Sequence, residues 1–180
     1  MPSPTASLSL DDYLLAMAQT RIAGMTRAEF VGLTGRLRLD PALVERNIAF
    51  SHDAYARNFV CRTPQFELLV LCWEPGHKTT VHDHAGSLNF IRVHSGELTS
   101  RLFEKGPGRG LTVATEEQLA PEGQTSVDRP HIHQLANTSH ERLVTVHVYA
   151  PPLTRLTVYD LESGATSSLP LRYTVVDDLD

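Results

Sequence analysis

Apolar positions fall into two regimes along the chain. Up to about residue 50 they recur at spacings of three and four, as in Leu10, Tyr13, Leu14 and Met17, which is the period of an amphipathic helix. Thr26 with Glu29 makes a capping-box pair, and Asp40 stands as a cap before Pro41 at a first helical position. Two or three short helices ending near Asn47 are predicted. From about Tyr55 the period drops to two. Apolar or alternating runs fall at 55–61, 66–74, 79–84, 88–95, 97–104, 111–115, 125–128, 132–136, 143–150, 153–160 and 169–176. Turn chemistry separates them, at Pro75-Gly76, Ser95-Gly96, Gly106-Pro107-Gly108, Pro121-Glu122-Gly123 and Ser163-Gly164. Many short strands at this spacing indicate a mainly β fold, an antiparallel sandwich or small barrel with short N-terminal α-helices. The expected organisation is one domain over 1–180, with a helical cap (1–50) and a β-barrel (51–176). The acidic end, 177–180, reads as a solvated tail.

Composition narrows the class. The 180 residues suffice for a core without disulfides. The net charge of −5 speaks against nucleic acid or an anionic membrane surface as partner, since both need a basic field. The longest apolar run, 68–73, is far shorter than the roughly 20 residues that span a bilayer. Residues 1–4 carry no positive charge and precede no apolar stretch, so no secretory signal is expected. Cys61 and Cys72 cannot build a disulfide framework and read as packing residues of a cytoplasmic protein. A monomer is expected. Nine histidines are more than packing requires.

His82 and His84 lie two apart, as do His131 and His133. Strand residues i and i+2 point the same way with Cα atoms about 6–7 Å apart, so two imidazoles can share a metal at about 2.0–2.1 Å each. Gly76 precedes His82 by six residues and Gly96 follows His84 by twelve; Asn137 follows His133 by four, and Gly123 precedes it by ten. These spacings resemble the two motifs of cupins. The first is matched at every position but Asn89, where most cupins carry a glutamate ligand. A neutral amide there leaves three neutral imidazoles around the ion, which keeps its full charge and has open positions for an anionic chelating substrate. Ligand identity alone admits zinc as well as iron. His131 and His133 share strand parity, and Asn137 together with Pro130 favours His133.

A later strand, 143–149, carries valines at 144, 146 and 148 on one face and Leu143, Thr145, His147 and Tyr149 on the other. The valines suit an apolar layer, and the polar face then looks into a pocket.

Tyr55 with Arg57-Asn58, Cys72-Trp73 leading to His82-Asp83-His84, then His133, then His147-x-Tyr149 before Ala150-Pro151-Pro152 resemble the cysteine dioxygenase family over about residues 50–176. The resemblance implies one Fe(II) per chain, held by His82, His84 and His133. It implies L-cysteine bound through thiolate and amine, and oxidised with O2 to cysteine sulfinate. It also implies that Arg57, helped by Tyr55, anchors the substrate carboxylate, and that His147 orients a catalytic Tyr149. Animal members carry a cysteine at the position of Asn89, cross-linked to the tyrosine matching Tyr149. Here no cross-link is expected, as in bacterial relatives. Arg57, where relatives acting on 3-mercaptopropionate tend to carry glutamine, favours L-cysteine. The alternatives are a 3-mercaptopropionate or cysteamine dioxygenase, or a non-catalytic cupin binding a metal or small ligand. The family further suggests a cis bond at Ala150-Pro151. His52, His77, His94 and His140 read as surface or loop residues.

Overall fold

The computed structural model of the chain describes residues 7–106, 108, 110–128 and 131–174. The expectations for residues 1–4, Pro107, Pro130, the strand end at 175–176 and the acidic end 177–180 lie outside the described residues.

Three helices form as the caps foretell. The Ser9 hydroxyl caps α1 (Leu10–Ala18) by accepting from Asp12 N, and Thr26 with Glu29 completes a reciprocal capping box on α2 (Arg27–Thr34). Asp40 caps α3 (Pro41–Arg46), whose first residue is the proline. A short parallel pair, β1 (Ser7–Leu8) and β2 (Arg38–Leu39), clamps the helical region and had no signal in the apolar pattern. Tyr13, Met17 and Phe30 are buried beneath it.

The strands that follow are β3 (Ala56–Arg62), β4 (Glu67–Trp73), β5 (His82–Asp83), β6 (Leu88–Ser95), β7 (Leu98–Lys105), β8 (Leu111–Leu119), β9 (Gln124–Thr125), β10 (Ile132–Ala136), β11 (Leu143–Ala150), β12 (Arg155–Tyr159) and β13 (Thr166–Pro170). They form a five-stranded sheet ordered β3-β4-β11-β6-β9 and a six-stranded sheet ordered β13-β12-β5-β10-β7-β8, all antiparallel. This is a cupin-type jelly roll of two facing sheets.

Each sheet face has its own core. On β4, Leu69, Leu71 and Trp73 pack between the sheets, whereas Leu68, Val70 and Cys72 face the helices. That double burial explains why β4 reads as a continuous apolar run rather than an alternating one. β11 alternates likewise: Val144, Val146 and Val148 join the helix-side core, and Leu143 and Tyr149 the inter-sheet core. Cys61, between Val60 and Arg62, is buried on the helix side.

Several boundaries differ from the sequence pattern; the run expected at 125–128, for one, is the two-residue strand Gln124–Thr125. The expected strand at 79–84 shortens to His82–Asp83, because Leu135 N donates to the Thr79 hydroxyl and Gln134 Nε2 to Thr79 O, so side chains interrupt the ladder. β8 runs on past 115 to Leu119, since its exposed polar end stays paired with β7 and Arg101 bonds Glu116 across the ladder. The last strand ends at Pro170, and residues 171–174 of the expected run lie outside it. Beyond it Leu171 and Tyr173 pack onto the inter-sheet core, and Thr174 pairs with the backbone of Arg57. The apolar period at 169–173 thus marks packing and only partly a ladder.

The motif glycine Gly96 is required by geometry. It sits at φ +80°, and a Cβ there would lie 2.8 Å from Leu143 Cα. Asn137 ties the two motifs together: Gly76 N donates to its carbonyl, its own N–H donates to His77 O, and its amide reaches Trp73 O and Glu141 O.

Candidate metal centre

β5 and β10 are neighbours in the six-stranded sheet, with His82 and His133 directly opposite in register, and His84 follows β5 by one residue. All three are buried. His133 Nε2 lies 3.1 Å from His82 Nε2 and 3.0 Å from His84 Nε2. Burial pushes His82 down to about 4, and burial followed by their mutual repulsion holds His84 and His133 well below the ordinary imidazole value. The rings are therefore neutral at pH 7. His82 Nδ1 lies 2.8 Å from Thr80 O, which accepts its proton and turns the Nε2 lone pair toward the cluster. A proton on His133 Nε2 can satisfy one neighbouring lone pair only, so hydrogen bonding alone leaves the cluster unsatisfied. These three are the group among the described residues whose nitrogens could hold a metal ion. Separations of 3.0–3.1 Å at metal–nitrogen bonds of about 2.1 Å correspond to an angle of roughly 90–95°, nearer an octahedral face than a tetrahedron. Three neutral imidazole donors fit a divalent metal ion. His131 is exposed and outside the cluster.

The five-stranded sheet supplies the opposite wall. Trp73 Nε1–H donates to Thr145 Oγ1 (2.9 Å), Thr145 Oγ1 lies 2.8 Å from His147 Nε2, and His147 Nδ1 lies 3.0 Å from Tyr149 Oη. All four are buried. An indole only donates, and His147 Nε2 is the other partner of Thr145 Oγ1, so the arrangement that leaves every group paired sends the Thr145 hydroxyl proton to His147 Nε2. Burial pushes His147 down to about 3, so the ring is neutral and carries its proton on Nδ1, donating it to Tyr149. The phenol proton is then left for the space at the histidines, where Tyr149 and His84 meet edge to face at 5.3 Å. Burial raises the Tyr149 phenol above its ordinary value, with the Arg57 charge opposing, so the proton stays on.

Arg57, on β3, is buried at 6 % exposure, and its Nε and Nη2 have no hydrogen-bond partner. Its charge acts on His82, His84, His147 and Tyr149. The fully buried Glu67 carboxylate lies 3.8 Å from Arg57 Nη2, accepts from Leu153 N and accepts from the Tyr173 hydroxyl. Tyr55 stacks on Trp73 at 4.4 Å between centroids. Asn89, opposite Tyr149 in register, turns its Oδ1 to Val127 N and Ser126 Oγ. The Ala150-Pro151 bond is cis.

The structure thus brings His82, His84, His133, His147, Tyr149, Arg57, Tyr55 and Asn89 around the space between the sheets. Sequence reasoning did not give roles to Thr145, Trp73 and Glu67. Thr145 was legible as i−2 of His147 on the same strand face, and Glu67 as an acid standing inside an apolar run. Nothing in the sequence marks Trp73 as the head of the chain of hydrogen bonds.

A jelly roll with converging imidazoles between its sheets is a cupin whose three histidines could hold a metal ion. The sequence model for cysteine dioxygenase type I matches residues 23–162, and the chain belongs to that family. Cysteine dioxygenase type 1 of Danio rerio is 30% identical over 135 residues, covering 69% of this chain and 65% of that protein. The Homo sapiens protein of the same name is 29% identical over 139 residues, covering 74% and 70%. The chain therefore spans about two thirds of the length of these relatives. Among solved structures, a Thermus thermophilus protein (TM-score 0.52, 22% identity, 61% of this chain and 94% of that one) shares the fold. So does a Klebsiella pneumoniae protein with a double-stranded β-helix domain (TM-score 0.52, 19% identity, 71% and 87%). No described helix is long and apolar enough to cross a membrane.

Proposed function

We propose that the chain is an Fe(II)-dependent thiol dioxygenase acting on L-cysteine, with one ion held by His82, His84 and His133. The observation that carries the substrate reading is Arg57: a buried guanidinium with unpartnered donors, whose field reaches the histidine cluster. Glu67 stands at ion-pair distance, yet Arg57 Nε and Nη2 make no hydrogen bond, and a planar fork with unfilled donors matches a substrate carboxylate. L-Cysteine carries carboxylate, amine and thiol within three carbons. Holding the first at Arg57 limits where the other two can reach, which is an orientation effect. Bound Fe(II) supplies Lewis acidity that favours the thiolate and redox chemistry for dioxygen. The overall reaction, RSH + O2 → RSO2H, places both oxygen atoms on sulfur and needs no outside reductant. Glu67 fixes Arg57, His147 fixes the phenol, and Tyr149 keeps a proton at Oη facing the reacting groups.

The direct test is anaerobic titration of the Fe(II)-loaded protein with L-cysteine, then exposure to O2 and mass detection of the sulfinate. Stoichiometric zinc in the purified protein, with no sulfinate after iron reconstitution, would instead indicate a non-catalytic metal-binding cupin. Arg57→Gln is expected to raise KM for L-cysteine about 10–100-fold while changing KM for cysteamine, which has no carboxylate, far less. Steady-state oxygen consumption on the two thiols measures this, and equal losses would remove Arg57 from substrate recognition. Because Asn89 occupies the place across from Tyr149, intact-mass measurement should show no thioether on Tyr149.

A further inference from the structure

A second cavity, of about 290 Å³, lies on the far side of the five-stranded sheet, enclosed by that sheet, the β1–β2 pair and helices α1 and α3. Its walls include Leu39, Val44, Phe90, Val146 and Val148, with Tyr13 and Arg92 among them. Nothing in the metal centre uses it. Its volume sits at the lower edge of the range for small-molecule sites.

Arg92 is the unusual member. Alternation on β6 places it in a row with Leu88 and Phe90, which belong to the helix-side core, and it is 9 % exposed. A guanidinium has five N–H donors. Here Nη2 donates to Gly35 O (2.8 Å) and Nη1 to Leu37 O (3.4 Å), at the C-terminal end of α2 and just beyond it, while Nε–H is buried with no partner. No carboxylate forms an ion pair with Arg92 among the described residues; Glu122, on the same cavity wall, is taken by Arg38 at 2.5 Å. Carbonyl oxygens supply only partial charge and the Phe90 ring, 5.5 Å from the guanidinium carbon, only a quadrupole, so no full negative charge is paired with the buried cation. Burial first, and the neighbouring Arg38 second, draw Arg92 below its ordinary value, with Glu122 and Tyr13 opposing.

We propose that this cavity binds a small organic monoanion with an apolar body, its carboxylate paired with Arg92 and within the wall that Tyr13 shares, its hydrocarbon against Leu39, Val146 and Val148. A purely apolar occupant would leave the cation as it is, and an inorganic anion would leave the hydrocarbon wall wet. The combination selects an amphiphile.

Hexanoate is the probe, with 1-hexanol as the uncharged control of equal chain length, on metal-loaded protein. At a Kd on the order of 1 mM, about 10 mM hexanoate should raise Tm by roughly 3–5 °C. Hexanol should give a much smaller shift. Arg92→Met should abolish the hexanoate shift, whereas Arg57→Gln, which alters the metal side of the sheet, should retain it. The proposal is overturned if hexanoate gives no shift up to about 50 mM, if hexanol matches it, if Arg92→Met keeps the shift, or if Arg57→Gln loses it. Should Arg92→Met not fold, Leu39→Trp at a half-buried wall position must abolish the shift by filling the cavity, and retention would be equally fatal.

Discussion

Replacing His133 by alanine is expected to remove metal binding, while His131→Ala leaves it within about twofold of the parent. His133 is the hub of the cluster, its Nε2 standing 3.0–3.1 Å from both other ring nitrogens. Without it only His82 on β5 and His84 just after it remain, and the affinity for a divalent metal should fall by more than about 100-fold. His131 is exposed, with its backbone N–H bonded to Asp128 O, and its ring is outside the cluster. Metal content after dialysis, with competition against a chelator of known strength, reads both variants. Loss of metal in His131→Ala with retention in His133→Ala would move the centre elsewhere.

Tyr149→Phe should retain metal and lose about 100-fold in kcat, which is about 2.7 kcal/mol of barrier. The phenol is the last member of a directional chain beginning at Trp73, so the same argument extends to Thr145. Thr145→Val keeps the β-branched shape but removes the hydroxyl that receives the Trp73 N–H and donates to His147. His147 is then free to adopt the other tautomer and accept from Tyr149, which turns the phenol proton away from the histidines. A loss of about 10-fold in kcat is expected, with metal content and KM little changed. An unaltered kcat in Thr145→Val would mean that the direction of the chain has no bearing on turnover.

The sequence made the helical cap legible because its starts are written in local chemistry: Thr26 with Glu29, and Asp40 before Pro41. It made β11 legible because two different environments lie on its two faces, so valine and polar residues alternate. The His82–His84 pair was visible for the same reason, as i and i+2 of an extended segment. What escaped notice depends on distant partners. The extent of β8 rests on pairing with β7 where its own residues, Glu116, Glu117 and Gln118, carry no apolar signal. The shortness of β5 rests on the Thr79 hydroxyl taking a bond that a carbonyl would have taken. The choice of His133 over His131 was argued from Asn137, and Asn137 proves to hold the turn at Gly76 and His77 in place, so the second motif secures the loop that leads into the first.

The pairing of His82 with His133 joins residues 51 apart, and the contact of Thr145 with Trp73 joins residues 72 apart. Such closures are late events in chain collapse, since the loop entropy falls due before the contacts return anything. A metal-binding signal during refolding should therefore trail the recovery of backbone dichroism, and nascent chains that have emerged only as far as His84 carry two of the three clustered imidazoles with no third to meet them.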